Sequence, residues 1–326
     1  MAIRLTIYKK GSDIPKLPEL TLEHSTKLFH VYEQTHGYSP YLIVAFDSER
    51  PIAKLLAVVR KSTRLFPPSI IKRCEIYRCG DYFDTNFDKE EIFGEMLEYI
   101  TREVIQQAFL IEVRNIEQPL FGYKYFKKNH YFPISWLRVY NSLHSLPPKD
   151  RLSPVRKRQI NKAIQRGVTT QLVKTEEELE AFLKLLKKAY RSKISKHFPD
   201  FNFFRLLMLQ NHQEETAQAF IVKYKDKIIG GSFCIYSGNN TYLWFSSSIK
   251  NTYSRLYPGV MAVWCALTDA YEKGYNHFEF MDAGLPFKNF NYRNFIISFG
   301  GKQVSTRRWF RFRWKWLNRL ACWFYK

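Results

Sequence analysis

Acidic residues are scarce in this chain. Asp and Glu number 30 against 51 Lys and Arg, leaving a net charge of +21 and a pI near 9.7. An excess of that size speaks to partners, not to fold. It suits nucleic acid, an anionic membrane face or a phosphorylated substrate, and equally a solvated basic surface. Cysteine is sparse too. Cys74, Cys79, Cys234, Cys265 and Cys322 are odd in number and include no C-x-x-C, which excludes a disulfide framework and points to reduced thiols in a cytosolic protein. The eight histidines are scattered and form no H-E-x-x-H, so no metal is expected. There is no G-x-G-x-x-G, no Walker loop and no G-x-S-x-G, which leaves a nucleophilic Ser or Cys mechanism without support. No apolar run approaches the ~18–20 residues needed to span a bilayer. Met1–Tyr8 reads as a strand, without the apolar core of a signal peptide. The expected location is cytoplasmic, at most peripheral at the inner membrane face.

What the chain has in quantity is aromatics, 17% of residues with 27 Phe and 21 Tyr, far from the composition of a disordered protein. It also has an internal repeat. Tyr41–Asp47, a polar turn and Ile52–Val59 are echoed by Gln218–Tyr224, the turn Lys225–Lys227 and Ile228–Tyr236. Each strand pair is followed by an amphipathic helix and an apolar strand: Glu90–Ala108 then Phe109–Val113, and Val260–Lys273 then His277–Met281. Each copy closes with an aromatic helical stretch, Phe121–Lys128 and Phe290–Phe299. Repetition sets the architecture before any motif is weighed. Two such units side by side are expected to leave a ligand cleft.

The patterns predict an α/β (α+β) fold with a mixed, mostly antiparallel sheet flanked by helices in each half. Asp88 reads as the N-cap of the helix over 88–108. Ser145–Asp150, with Pro147 and Pro148, reads as a stiff linker, which places an N-terminal domain at 1–146 and a C-terminal domain at 147–326. Ser153-Pro154 opens a basic helix that stops at Gly167, and Thr175–Glu178 is a capping box. Strands follow at 217–224, 228–236 and 242–249, and Pro258-Gly259 opens another helix.

Chemistry is expected at four places. Ser246-Ser247-Ser248 ends a strand, and Tyr253-Ser254-Arg255-Leu256-Tyr257-Pro258-Gly259 leads into a helix N-terminus, whose free N–H groups favour an anion. The same segment is also an ordinary strand-to-helix loop. Asp282 follows the apolar strand 277–281, the end of a strand where ligands collect in open sheets. It either orients or deprotonates an attacking amine or bonds turn amides. Arg158, Lys162 and Arg166 share one helix face, suited to a diphosphate or a nucleic-acid backbone, or simply solvated. The tail 307–326 alternates Arg with aromatics to Trp316, as a strand with one buried face, and then spaces Trp316, Leu320, Trp323 and Phe324 helically. That composition suits an anionic lipid surface; its rival is core packing with nucleic-acid stacking.

The chain resembles the GNAT superfamily, in its FemAB-like and BioF2-like acetyltransferase branch, from about Ser153 to Val304. The residues that carry this are S-P-x-R-K-R-x-I-N-K-A-I-Q-R-G-V (Ser153–Val168), Ile229-Gly230-Gly231, Tyr257-Pro258-Gly259, Phe280-Met281-Asp282-Ala283-Gly284 and Phe299-Gly300-Gly301. The resemblance implies tandem GNAT-like domains, the first degenerate and the second catalytic. It implies an acyltransferase that moves an acetyl or aminoacyl group from acyl-CoA or aminoacyl-tRNA to an amine, on a cell-envelope, sugar-linked or lipid-linked precursor. Attack is direct in a ternary complex, with no metal and no permanently bound cofactor. Ser246–Ser248, Ser254, Arg255 and Gly259 would hold the donor, with backbone amides stabilising the oxyanion. Tyr253 or Tyr257 would protonate the leaving group. Arg158, Lys162, Lys288 and Arg293 would bind substrate. Two departures stand out. Ile296 follows Phe295 where related sequences often carry Lys, and 177–210 is too short for the helical arm of the tRNA-using Fem enzymes. A basic nucleic-acid-binding protein and an inactive scaffold of the same fold are the other two readings.

Overall fold

The computed structural model describes residues 3–61, 72–116, 118–191, 198–209, 216–249, 251–288 and 290–325. The chain divides into two compact units, Met1–Trp136 with Ser305–Lys326, and Leu137–Val304. In chain order the elements are β1 (Ile3–Tyr8), α1 (Thr26–Glu33), β2 (Tyr38–Asp47), β3 (Arg50–Lys61), β4 (Lys72–Tyr77), β5 (Asp81–Tyr82), α2 (Lys89–Val104), β6 (Leu110–Asn115), α3 (Tyr123–Lys128) and β7 (Phe132–Ser142). They continue with α4 (Pro148–Arg151), α5 (Pro154–Gln165), β8 (Val168–Leu172), α6 (Glu176–Arg191), α7 (Phe201–Leu209), β9 (Ala217–Tyr224), β10 (Lys227–Ser237) and β11 (Asn240–Ser248). The last are α8 (Pro258–Glu272), β12 (His277–Phe280), α9 (Asn291–Ile297), β13 (Lys302–Phe312) and α10 (Lys315–Phe324).

The repeat is real at the level of strand pairing. The first sheet runs β1-β2-β3-β4-β6-β13, with β5 on the side of β3, and the second runs β8-β9-β10-β11-β12-β7. In each, one inner pair is parallel, β4 with β6 and β11 with β12, and the other assigned pairs are antiparallel. The closing strands are exchanged. The strand after α3 supplies Val139–Ser142 to the second sheet, and the strand after α9 supplies Arg307–Phe312 to the first. This corrects the expected division at 146. The limit falls at Trp136/Leu137, and the tail 307–326 belongs to the first unit. The proline segment 145–152 is no open linker, because Pro148 is buried and starts α4.

Local signals set the helix ends as read. Asp88 Oδ1 accepts from the Glu90 and Glu91 amides at 2.8 and 3.3 Å. Ser153 Oγ accepts from Arg156 N, and Gly167 at φ +81° ends α5 in the left-handed conformation that glycine adopts without strain. Thr175 Oγ1 accepts from Glu178 N while Glu178 accepts from Lys174 N. In the first unit, Ile92, Phe93, Met96, Leu97 and Ile100 of α2 meet Ala57, Cys74, Ile76, Ile111, Val113 and Trp309 in one core. In the second unit, Val260, Val263 and Leu267 of α8 meet Val222, Leu243, Phe278 and Phe280. Each such side chain contributes about 1.5–3 kcal/mol by burial. Helices cover both faces of the second sheet, as two adjacent glycines show. A Cβ on Gly230 would meet Pro258 of α8, and one on Gly231 would meet Phe182 of α6. All five thiols are free, and burial pushes Cys74 and Cys234 up and Cys265 up to about 12.

The opposite face of the first sheet carries a buried ion network. Glu75 and Glu112 are register partners on the parallel strands. Arg60 grips Glu75 through two bonds, at 2.6 and 3.0 Å. Arg114 reaches Glu112 at 2.9 Å and Glu75 at 3.5 Å. Arg308 and Arg73 complete Glu112 at 2.9 and 3.4 Å. Burial works to raise Glu75, but the Arg60 and Arg114 guanidiniums outweigh it and hold the carboxyl at about 2, below its ordinary 4.5. A depressed acid stabilises the fold above its ordinary value, and that contribution is lost as pH falls toward the folded value. Glu75→Gln is therefore expected to destabilise the protein by about 3–5 kcal/mol at neutral pH, since it leaves buried cations unpaired. The gap from wild type in denaturant midpoint should close between pH 4.5 and about 2. A gap constant across that window would show that Glu75 carries no depressed acidity.

Candidate active site

The two parallel pairs differ at their carboxyl ends. In the second unit the β11–β12 ladder runs from Asn240–His277 to Leu243–Phe280 and stops. The next residue, Trp244, is a bulge, because the register with β10 passes from Cys234–Leu243 to Phe233–Phe245. A bulge bends its strand and sharpens the twist. β11 then continues to Ser248 along β10, while the chain after Phe280 stays beside β7, where Ala283 N donates to Leu137 O at 3.1 Å and Leu137 N to Gly284 O at 2.9 Å. The strands part where an open α/β sheet binds its ligand. In the first unit the β4–β6 ladder spans Arg73 to Tyr77 without a shift and is prolonged by Arg78 N donating to Arg114 O at 3.0 Å.

The N-terminus of α8 sits against this opening. Tyr257 precedes it at φ +52°, a left-handed conformation that costs a non-glycine residue roughly 1–2 kcal/mol. Strain of this kind gathers at ligand sites. Pro258 takes the first helical position, and no side chain caps the helix. Two glycines let it come close. A Cβ on Gly259 would lie 3.0 Å from Ser248 Oγ, and one on Gly230 would lie 3.2 Å from Pro258 O and 3.3 Å from Ser247 O. Ser247 Oγ is buried with no hydrogen-bond partner among the described residues. Ser246 and Ser248 are half-buried; Ser254 and Arg255 are exposed. The Arg166 guanidinium donates to Arg255 O, tying α5 to the loop. Arg158 and Lys162 are exposed on the same row, which extends about 12 Å along α5. The structure thus brings the loop and the basic helix together, as two separate readings of the sequence did not require.

Asp282 stands just past the end of β12, exposed, and its Oδ1 accepts from Gly284 N at 3.0 Å. It bonds a turn amide and occupies the strand end at once. Two phenols missed by the sequence reading share its surroundings. The ring of Tyr190, on α6, contacts Phe198 at 5.4 Å and Phe245 at 5.9 Å. Burial pushes Tyr190 up to about 12, and the Asp282 charge adds to the shift. Tyr292, on α9, is raised first by burial and then by Tyr190 and Asp282. No spacing in the sequence joins positions 190, 282 and 292; only the convergence of α6, α9 and the end of β12 does. Tyr253 lies half-buried at the edge of the second core, its ring 6.3 Å from that of Tyr224.

Of the other expected contacts, Lys288 is exposed, but Arg293 is already engaged. Its guanidinium donates to Ala283 O at 2.8 Å, Lys288 O at 3.1 Å, Pro286 O at 3.5 Å and Leu285 O. Arg293 therefore positions the loop after Asp282 instead of offering a free cation. Arg156 turns inward as well, onto Ser298 and over the Phe295 ring at 4.5 Å. Ile296 is fully buried in the core, which explains an apolar residue there. Arg293→Ala is expected to weaken the loop by about 1.5–3 kcal/mol, the range for charge-assisted bonds. Amide exchange at 283–288 should quicken while β2 and β3 stay unchanged; unaltered exchange in the loop would show that Arg293 does not hold it.

Residues 155–289 match the family model of the acetyltransferase (GNAT) domain. No curated protein matches the sequence. Among solved structures the chain is similar to FemX, at 13% identity and a TM-score of 0.65, over 93% of this chain and 95% of that one. It is similar to L-PGS from Bacillus licheniformis, at 13% identity and 0.55, over 94% and 96%. It is also similar to a tandem GNAT protein from the clavulanic acid biosynthesis pathway, at 8% identity and 0.54, over 96% and 99%. At these identities the likeness is one of fold. Among the described residues, no helix is long and apolar enough to cross a membrane.

Proposed function

From the premise that the chain belongs to the GNAT superfamily of acyltransferases, with a tandem, FemX-like fold, we propose that its second unit moves an acyl group from acyl-CoA to an amine. The observation that carries this is the early end of the β11–β12 ladder beside the uncapped N-terminus of α8. The donor phosphates would meet the first-turn amides of α8 at Gly259, with Ser254 and Arg255 beside them. Arg166, Lys162 and Arg158 would extend the cationic border over a length suited to the nucleotide of CoA. The acyl carbonyl would lie in the gap between the strands. There the backbone of Ser246–Ser248 would stabilise the developing oxyanion, a contribution of about 3–4 kcal/mol where single donors have been removed elsewhere. Ser247 Oγ, buried without a partner among the described residues, supports a polar ligand at this point.

Asp282 would orient the incoming amine and take its proton, at the open end of β12. A phenol would return a proton to the leaving thiolate: Tyr253 or Tyr257 from the loop, or Tyr292 from the side of Asp282. The acceptor we infer is an amine on a phosphorylated or envelope-linked precursor, consistent with the basic surface. Aminoacyl-tRNA is the rival donor, and the same cationic row would suit it.

Titration of the purified protein with CoA, acetyl-CoA and a charged tRNA separates the two. Stabilisation by CoA, with none by tRNA, is the expected result. A response to tRNA alone would change the donor, and no response to either would remove the transferase reading. Asp282→Asn keeps an acceptor oxygen for Gly284 N and should fold normally. It should bind CoA with unchanged affinity and lower the transfer rate by about 10²–10⁴-fold. Full activity in that variant would take Asp282 out of the mechanism.

A further inference from the structure

Helix α10 faces the first unit with its small and polar side. Asn318 and Ala321 are buried, and Leu317 and Cys322 are half-buried. Asn318 Oδ1 accepts from Phe312 N at 2.9 Å, and its Nδ2 donates to His130 O at 2.9 Å. The Cys322 thiol lies 3.6 Å from the same carbonyl, and Tyr325 stacks on Phe132 at 5.5 Å. The large apolar residues point the other way: Trp316 is 65% exposed, Leu320 46%, Trp323 65% and Phe324 66%, with Trp314, just before the helix, at 52%. A helix held by apolar collapse would bury these and leave Asn318 outside. Instead specific bonds hold the polar side in, and the outward side chains forgo burial.

The charge around this face identifies its occupant. From Arg307 to Lys326 there is no Asp or Glu. Arg313, Lys315 and Arg319 are exposed. At 100° per residue, Lys315 and Arg319 lie along one edge of the stripe formed by Trp316, Leu320, Trp323 and Phe324. Apolar and indole surface bordered by flexible cations matches the boundary between acyl chains and anionic headgroups. We propose that α10 docks the protein on an anionic lipid surface, with Trp314, Trp316, Leu320, Trp323 and Phe324 in the headgroup boundary and Arg313, Lys315 and Arg319 on the headgroups. At 10 residues the helix is too short to span a bilayer, so it would lie in the plane of the surface. The inference is independent of the acyl donor.

Flotation of the full chain with vesicles tests it. Binding to equimolar phosphatidylglycerol and phosphatidylcholine is expected, with a blue shift of tryptophan emission and weakening by salt. Vesicles of phosphatidylcholine alone should bind far less. Trp316→Ala with Trp323→Ala, checked for folding by circular dichroism, should lower partitioning at least about tenfold. Lys315→Ser and Arg319→Ser should each lower it about fivefold. Stabilisation by CoA, measured in parallel, should be unchanged in these variants, so a failure here is distinct from a failure of the transferase reading. Unaltered vesicle binding in the double tryptophan variant would overturn the proposal, as would equal binding to neutral vesicles. So would binding of polyuridylate or a dimer that depends on Trp316 and Trp323 in a protein that ignores vesicles; these outcomes would assign the face to nucleic acid or to a second copy.

Discussion

The second unit turns on how far two parallel strands stay paired. β11 and β12 share a ladder only to Leu243 and Phe280, and the bulge at Trp244 carries the rest of β11 away. Parallel pairing holds its strands side by side at close spacing, so a gap can open only where the ladder ends. The helix that follows must then begin beside that gap, because the connection from β11 to β12 passes through α8. The strained Tyr257, the close glycines at 230 and 259, and the uncapped helix start are all arranged around this one interruption.

The first unit shows the same topology without the interruption. Its parallel ladder is complete, and its strands are joined by Glu75, Glu112 and the arginines around them. Both sheets place a buried Glu on the inner parallel strand facing an Arg from the exchanged closing strand: Glu112 with Arg308, and Glu279 with Arg138 at 2.8 Å. A buried carboxylate is tolerated only when paired and hydrogen-bonded, so each pair ties its exchanged strand to a specific register. In the second unit the pair sits beside a ladder that opens; in the first it sits in a ladder closed along its length. The GNAT domain match, over residues 155–289, falls in the unit whose ladder opens.

Some of the candidate site was legible in the sequence because its elements follow local rules. Pro258-Gly259 after a polar loop marks a helix start, and Asp282 after an apolar strand marks a strand end, whatever the rest of the chain does. Tyr190 and Tyr292 were not legible, because their meeting with Asp282 depends on three elements far apart in sequence. Arg293 shows the opposite case. A cation near a proposed site reads as a ligand contact, yet four carbonyls of its own loop take up its guanidinium.

The sequence alone determined the repeat, the helix caps, the strand-turn-strand units and the cationic excess, since each rests on periodicity, short-range hydrogen bonding or composition. It did not determine which sheet each closing strand would join. A strand carries its pattern of faces but not its partner, so the tail 307–312 was placed in the wrong unit until β13 was seen beside β6. The orientation of α10 was equally out of reach. Its spacing defines an apolar stripe, but only the bonds from Asn318 to Phe312 and His130 decide that the stripe faces outward.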